Sequence, residues 1–140
     1  MELPEALFEG MIDRGTILLA QIFEEIDHEK FFVIVGVSGD KVAGFFFINS
    51  NIHSSVWKKS EQLAMQYPMK KSDYPFLKHD SFLCATNIIE RDKSELASLI
   101  KNSDVKIKGD MKKEHMNEVL EMARSSKLFS KAEKREFFYP

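Results

Sequence analysis

Cysteine is almost absent from this sequence: the 140-residue chain carries one, Cys84. A lone thiol excludes an internal disulfide and fits a reducing compartment, so a cytoplasmic protein is expected. Signature motifs are missing too. There is no GxxxxGK[ST], no GxGxxG after a strand, no HExxH and no CxxC pair, so phosphate-loop, dinucleotide and common zinc chemistries have no support. His28, His53, His79 and His115 stand far apart, without the local spacing of a metal site, and neither a metal nor a cofactor is expected. No run approaches the ~18 uncharged apolar residues of a membrane span. The first residues, MELPEALFEGMIDRG, are acidic and amphipathic, without the basic and apolar regions of a signal peptide. A net charge of −2 gives no global basic signal for nucleic acid and leaves a local basic face open.

What is present is an ordinary globular composition, 44% hydrophobic and 30% charged, in a chain of single-domain size. Many of its twelve phenylalanines fall in two adjacent runs. PEALFEGMID (4–13) predicts a short first helix with Pro4 near its start. RGTILLAQIFEEI (14–26) opens at a Gly-bearing turn, and its first part predicts a strand. KFFVIVGVS (30–38) and KVAGFFFINS (41–50) predict two strands joined at Gly39-Asp40 as a hairpin. Their near-continuous apolar character predicts burial on both faces, as in a small closed barrel.

Within the polar stretch 51–73, SSVWKKSEQLAM suits a helical turn and QYPM an edge strand interrupted by Pro68. KHDSFLCATNII (78–89) predicts a further strand, SELASLIKN (94–102) a short helical connector, and VKIKGD, within 104–110, a half-exposed strand. Met111, Met116, Val119, Leu120 and Ala123 then share one helical face, with Asp110 as the expected N-cap and Lys113 at the capping-box position. Ser130 with Glu133 three residues later predicts a capping box before a terminal helix. The expectation is a single α+β domain over 1–140, mainly β, with its barrel core in 14–110 and a helical segment in 111–140.

The densest candidate chemistry is Lys78-His79-Asp80-Ser81. Histidine exchanges a proton near neutral pH, and a neighbouring carboxylate raises its pKa or orients it. On a strand His79 and Ser81 would share one face and Asp80 the other. The same residues equally suit a strand entry in which Asp80 and Ser81 tie down a turn. Asn49-Ser50-Asn51 carries the same two readings, turn or ligand contact. Lys30 is either a solvated strand-end charge or a phosphate contact. Trp57, beside Lys58 and Lys59, suits either a stacking platform or a core cap.

The order of RGTILLAQI, KFFVIVGVS, FFFINSNI and HDSFLCATNI, followed by VKIKGDMKKEHMNEVLEMA, resembles the PemK/MazF-like toxin family over residues 14–124. The resemblance implies an SH3-like barrel and a small cytoplasmic homodimeric endoribonuclease. Such an enzyme cuts single-stranded RNA without metal and is inhibited by a paired antitoxin protein. The family's second strand opens with Arg-Pro; here Lys30-Phe31 stands at that place. Ser50 matches the family's third-strand hydroxyl, and Asp80, with Ser81 beside it, its core-strand acid.

Metal-free RNA cleavage needs a base for the 2′-hydroxyl, an acid for the leaving oxygen and a cation for the developing phosphorane charge. Lysine brings a point charge where arginine brings a planar fork. The expectation is that Lys30 stabilises phosphate, His79 and Asp80 handle protons, and Ser50, Asn51 and Ser81 position RNA. The alternative is the same barrel serving as a protein- or nucleic-acid-binding module.

Overall fold

The computed structural model describes residues 4–20, 30–49 and 65–139. Six strands lie within them: β1 (Thr16–Ala20), β2 (Lys30–Ser38), β3 (Lys41–Asn49), β4 (Gln66–Met69), β5 (Ser81–Asp92) and β6 (Val105–Asp110). Four helices accompany them: α1 (Glu5–Glu9), α2 (Lys93–Lys101), α3 (Lys113–Ser125) and α4 (Lys131–Phe137). The strands form one antiparallel sheet in the order β4-β5-β3-β2-β1-β6. The class is α+β, as the sequence leads one to expect.

The β2–β3 hairpin turns at Gly39-Asp40, where Gly39 has φ +60°, a region open to glycine without steric cost. Both strands are rich in β-branched and aromatic residues, which favour a pleated, packed surface. Alternate residues feed two separate cores. Val33, Val35, Phe45, Phe47 and Leu83 pack with Met116, Val119, Leu120 and Ala123 of α3 and with Phe137 and Phe138. On the other face Leu18, Phe32, Ile34 and Val42 pack with Leu96 and Ala97 of α2 and with Phe8 of α1.

Two-sided burial therefore comes from two helical layers, and this corrects the expectation of a closed SH3-like barrel. The sheet is open among the described residues. β4, only four residues long and carrying Pro68, is one edge, and β6, with exposed Lys106 and Lys108, is the other. Proline and lysine are what protected edges carry.

Two boundaries also shift. The strand expected over 78–89 begins at Ser81, so Lys78, His79 and Asp80 lie in the preceding turn segment. Asp110, expected to cap a helix, instead ends β6 opposite Thr16, and Lys112 occupies the N-cap of α3 without a side-chain cap bond. The Ser130–Glu133 capping box is present at α4. The helical turn expected in SSVWKKSEQLAM lies outside the described residues, as does Trp57.

Two arginines hold the C-terminal residues, Arg14 to the sheet and Arg124 to α3. Arg14 Nε donates to the Val35 carbonyl at 2.8 Å, and its Nη2 donates to the carbonyls of Phe137 (2.9 Å) and Tyr139 (3.1 Å). Arg124 Nε donates to the Phe138 carbonyl at 2.7 Å, with its guanidinium 4.8 Å from the Tyr139 ring centroid. The close approach depends on Gly36, because a Cβ there would fall on the Phe137 backbone.

Candidate functional site

Antiparallel pairing brings the start of β2, the end of β3 and the start of β5 to one end of the sheet. Asn49 is directly opposite Ser81, and Phe32 opposite Phe46. Lys30, the first residue of β2, is half-buried with Nζ 5.8 Å from the Phe46 ring centroid. Ser50 and Asn51, expected to contact substrate, lie outside the described residues.

The turn before β5 satisfies much of its own polarity. Asp80 Oδ1 accepts the Lys71 amide N–H at 2.8 Å, and Ser81 Oγ donates to the His79 carbonyl at 3.3 Å. His79 is exposed, with Nδ1 3.0 Å from the Asp80 carbonyl oxygen. A carbonyl only accepts, so the proton in that bond belongs to Nδ1, which leaves Nε2 of the neutral ring as a base. Asp80 is thus a positioning residue for the turn, since its bonded oxygen holds a main-chain amide rather than the imidazole.

Lys30 and Ser81 do not share a face. Lys30 has the parity of Phe32 and Ile34, towards α1 and α2, whereas Ser81 has that of Leu83 and Ala85, towards α3 and α4. What the structure brings together is one end of the sheet, with the half-buried Lys30 on one face, the buried Ser81 on the other and the exposed His79 in the turn before β5.

A second polar group lies where the segment 70–80 and β4 meet the first turns of α3. Tyr74 is buried, and its Oη accepts the Lys112 amide N–H at 3.0 Å. Tyr74 Oη lies 2.7 Å from His115 Nδ1 and donates to it when the imidazole is neutral. Tyr67 Oη donates to Glu118 Oε2, and Lys112 Nζ is 2.9 Å from Asp73 Oδ1.

These contacts set the charges. Burial first, then the Glu118 bond, holds the Tyr67 phenol well above its ordinary pKa. Burial likewise raises Tyr74. The Lys112 bond lowers the Asp73 carboxyl, and the charges of Lys112, His115 and Lys70 add to that.

The aromatic rings here touch one after another. Phe47–Phe31 centroids are 5.7 Å apart, Phe31–Phe76 5.3 Å, Phe76–Tyr74 6.1 Å, Tyr74–His115 5.7 Å and His115–Tyr67 5.9 Å. Phe47 and Tyr74 are buried; Phe31, Phe76, His115 and Tyr67 are half-buried. Sequence reasoning puts His115 on a helix face and goes no further. The available signal is the spacing of His115 and Glu118, three residues apart beside the apolar seam of α3. Their tyrosine partners lie about 40 and 50 residues upstream and leave no local pattern.

Among the described residues, no three His, Cys, Asp or Glu side chains group as metal ligands would, and no helix is long and apolar enough to cross a membrane. No family model matches the chain, and no curated protein matches it.

Proposed function

We propose that this chain is a cytoplasmic, metal-independent endoribonuclease of the PemK/MazF-like toxin kind, acting on single-stranded RNA at the Lys30–Ser81 end of the sheet. The observation that carries the reading is that Lys30 opens β2 at the same end of the sheet where the backbone of Asn49 pairs with Ser81, next to the exposed His79. His79 Nε2 takes the 2′-hydroxyl proton as the 2′-oxygen attacks phosphorus. Lys30 offsets the charge that develops on the phosphorane. The P–O5′ bond then breaks, and the leaving oxygen is protonated from water. Ser81, with Ser50 and Asn51 of the following segment, positions the strand. The same resemblance supports a homodimer and an antitoxin protein as partners.

A second reading, a non-cutting module that binds protein or nucleic acid, is favoured by one observation: Lys30 and Ser81 lie on opposite faces. Cleavage of long single-stranded RNA in EDTA separates the two. His79→Ala is expected to lower the rate at least about a hundredfold, and Lys30→Ala to lower it strongly, with the thermal melt of each nearly unchanged. Absence of cutting by folded wild-type protein would replace the first reading with the second.

A further inference from the structure

We infer that Tyr74, pinned to the start of α3, is a positioning residue for His79, acting with Asp80 to frame the loop that holds the His79 ring with its proton on Nδ1. The inference rests on the base role given to His79 above and names what keeps that base in its working form.

The segment 70–80 leaves the sheet and returns to the same place. Met69 at the end of β4 pairs with Ser81 at the start of β5, so the residues between them close as an Ω-loop, whose ends meet and whose own side chains fill it. The loop is fastened in stages. The Lys70 carbonyl accepts the amide N–H groups of Asp73 and Tyr74, and the Tyr74 carbonyl accepts that of Leu77. Leu77 is buried in the core that α3 covers, and Phe76 packs on Phe31, beside Lys30 in β2, with ring centroids 5.3 Å apart. The Asp80 carboxylate then reaches back across the mouth of the loop to the Lys71 amide. His79 stands between the last two anchors, Leu77 and Asp80.

Tyr74 ties this loop to α3 through both capacities of its hydroxyl. Its Oη accepts the Lys112 amide N–H at 3.0 Å and lies 2.7 Å from His115 Nδ1. The Asp73–Lys112 pair beside it is solvent-exposed and fastens less. A buried hydroxyl with two partners holds its segment more firmly, because its loss leaves polar groups unpaired.

The frame reaches His79 through the tautomer. His79 Nδ1 lies 3.0 Å from the Asp80 carbonyl oxygen, which only accepts, so the bond selects the ring form with the proton on Nδ1 and leaves Nε2 bare. That selection needs the Asp80 backbone held still, and the Asp80 side chain and the Tyr74 pin hold it from two sides of the loop. Released from α3, the exposed His79 takes either form.

Ring nitrogen chemical shifts of the neutral His79, read by NMR in the full chain, separate the two tautomers without any substrate. Wild type is expected to show the Nδ1–H form. Tyr74→Phe and Asp80→Ala are each expected to shift the ring to a mixture. In the cleavage assay each is expected to lower kcat roughly tenfold with KM unchanged, since a misplaced base weakens the transition state and not substrate binding. Asp80→Asn keeps the oxygen that accepts the Lys71 amide and is expected to match wild type in both readouts. Ser130→Ala, which removes the α4 capping box at a comparable cost in stability, is expected to change neither.

A wild-type His79 in the Nε2–H form would overturn the inference. So would an unchanged His79 signature in Tyr74→Phe with a melt showing it folded, or an equal change in Ser130→Ala, which would reduce the effect to stability. Loss of cutting in Asp80→Asn as large as in Asp80→Ala would overturn it too, by making the charge of Asp80 what matters. Tautomer shifts in a protein that cuts no RNA would support the frame and remove the nuclease reading. Cutting that Tyr74→Phe leaves untouched would keep the nuclease reading and overturn the frame.

Discussion

Two places in this molecule bind a distant segment through polar side chains, and they differ in what is left over. At the C-terminus, Arg14 and Arg124 donate to the carbonyls of Val35, Phe137, Phe138 and Tyr139. The partners there are main-chain carbonyls, and the Phe137 backbone packs against Gly36. At the 70–80 segment, Tyr74, His115, Tyr67, Glu118, Asp73 and Lys112 meet one another as side chains. The second place is partly exposed, its members are ionisable side chains, and it adjoins the turn bearing His79. Arginines spent on backbone carbonyls build a lock; side chains in half-exposed pairs leave material for a site.

The largest expected effect tests the lock. Gly36→Val sets a branched side chain against the Phe137 backbone, which cannot give way as a flexible side chain would. Overpacking of this kind is expected to cost about 3 kcal/mol in urea unfolding and to release α4 from the sheet. Wild-type stability would break the contrast by showing the C-terminus to be loosely held.

A smaller loss is expected from Tyr74→Phe, which strands the Lys112 amide and His115 Nδ1. The cost is about 1–2 kcal/mol, with faster hydrogen exchange at the Lys112 amide and little change at Phe138. Loss of protection at both places together would show one cooperative unit instead of two.

The smallest effect is confined to alkaline pH. A free tyrosine ionises near pH 10, and in the fold Tyr67 keeps its proton well beyond that. Its contribution is therefore complete below about pH 10 and is lost as pH rises towards the folded value. Tyr67→Phe is expected to remove that part of the alkaline loss of stability, read by unfolding at about pH 9 and about pH 11. An unaltered alkaline decline in the variant would show that burial and the Glu118 bond do not hold the phenol protonated.

Much of the secondary structure was legible because its signals are local. The Gly39-Asp40 turn, the apolar runs of β2 and β3, Pro68 at an edge and the Ser130–Glu133 box each act within a few residues. Closure was not legible, since an apolar run reports two-sided burial without saying whether a second strand layer or a helix provides it. The same limit applies to the site. His79 and Lys30 stood out by residue type, but their faces depend on pairing registers, and the Tyr74–His115 bond joins positions 41 residues apart.

The measurement that bears most directly on function is incubation of a long single-stranded RNA with the wild-type protein in EDTA, with analysis of the product ends. Attack by the 2′-hydroxyl predicts fragments ending in 2′,3′-cyclic phosphate, together with strong loss of cutting in His79→Ala and Lys30→Ala. Intact RNA in the presence of folded protein, or cutting indifferent to both substitutions, would contradict the account.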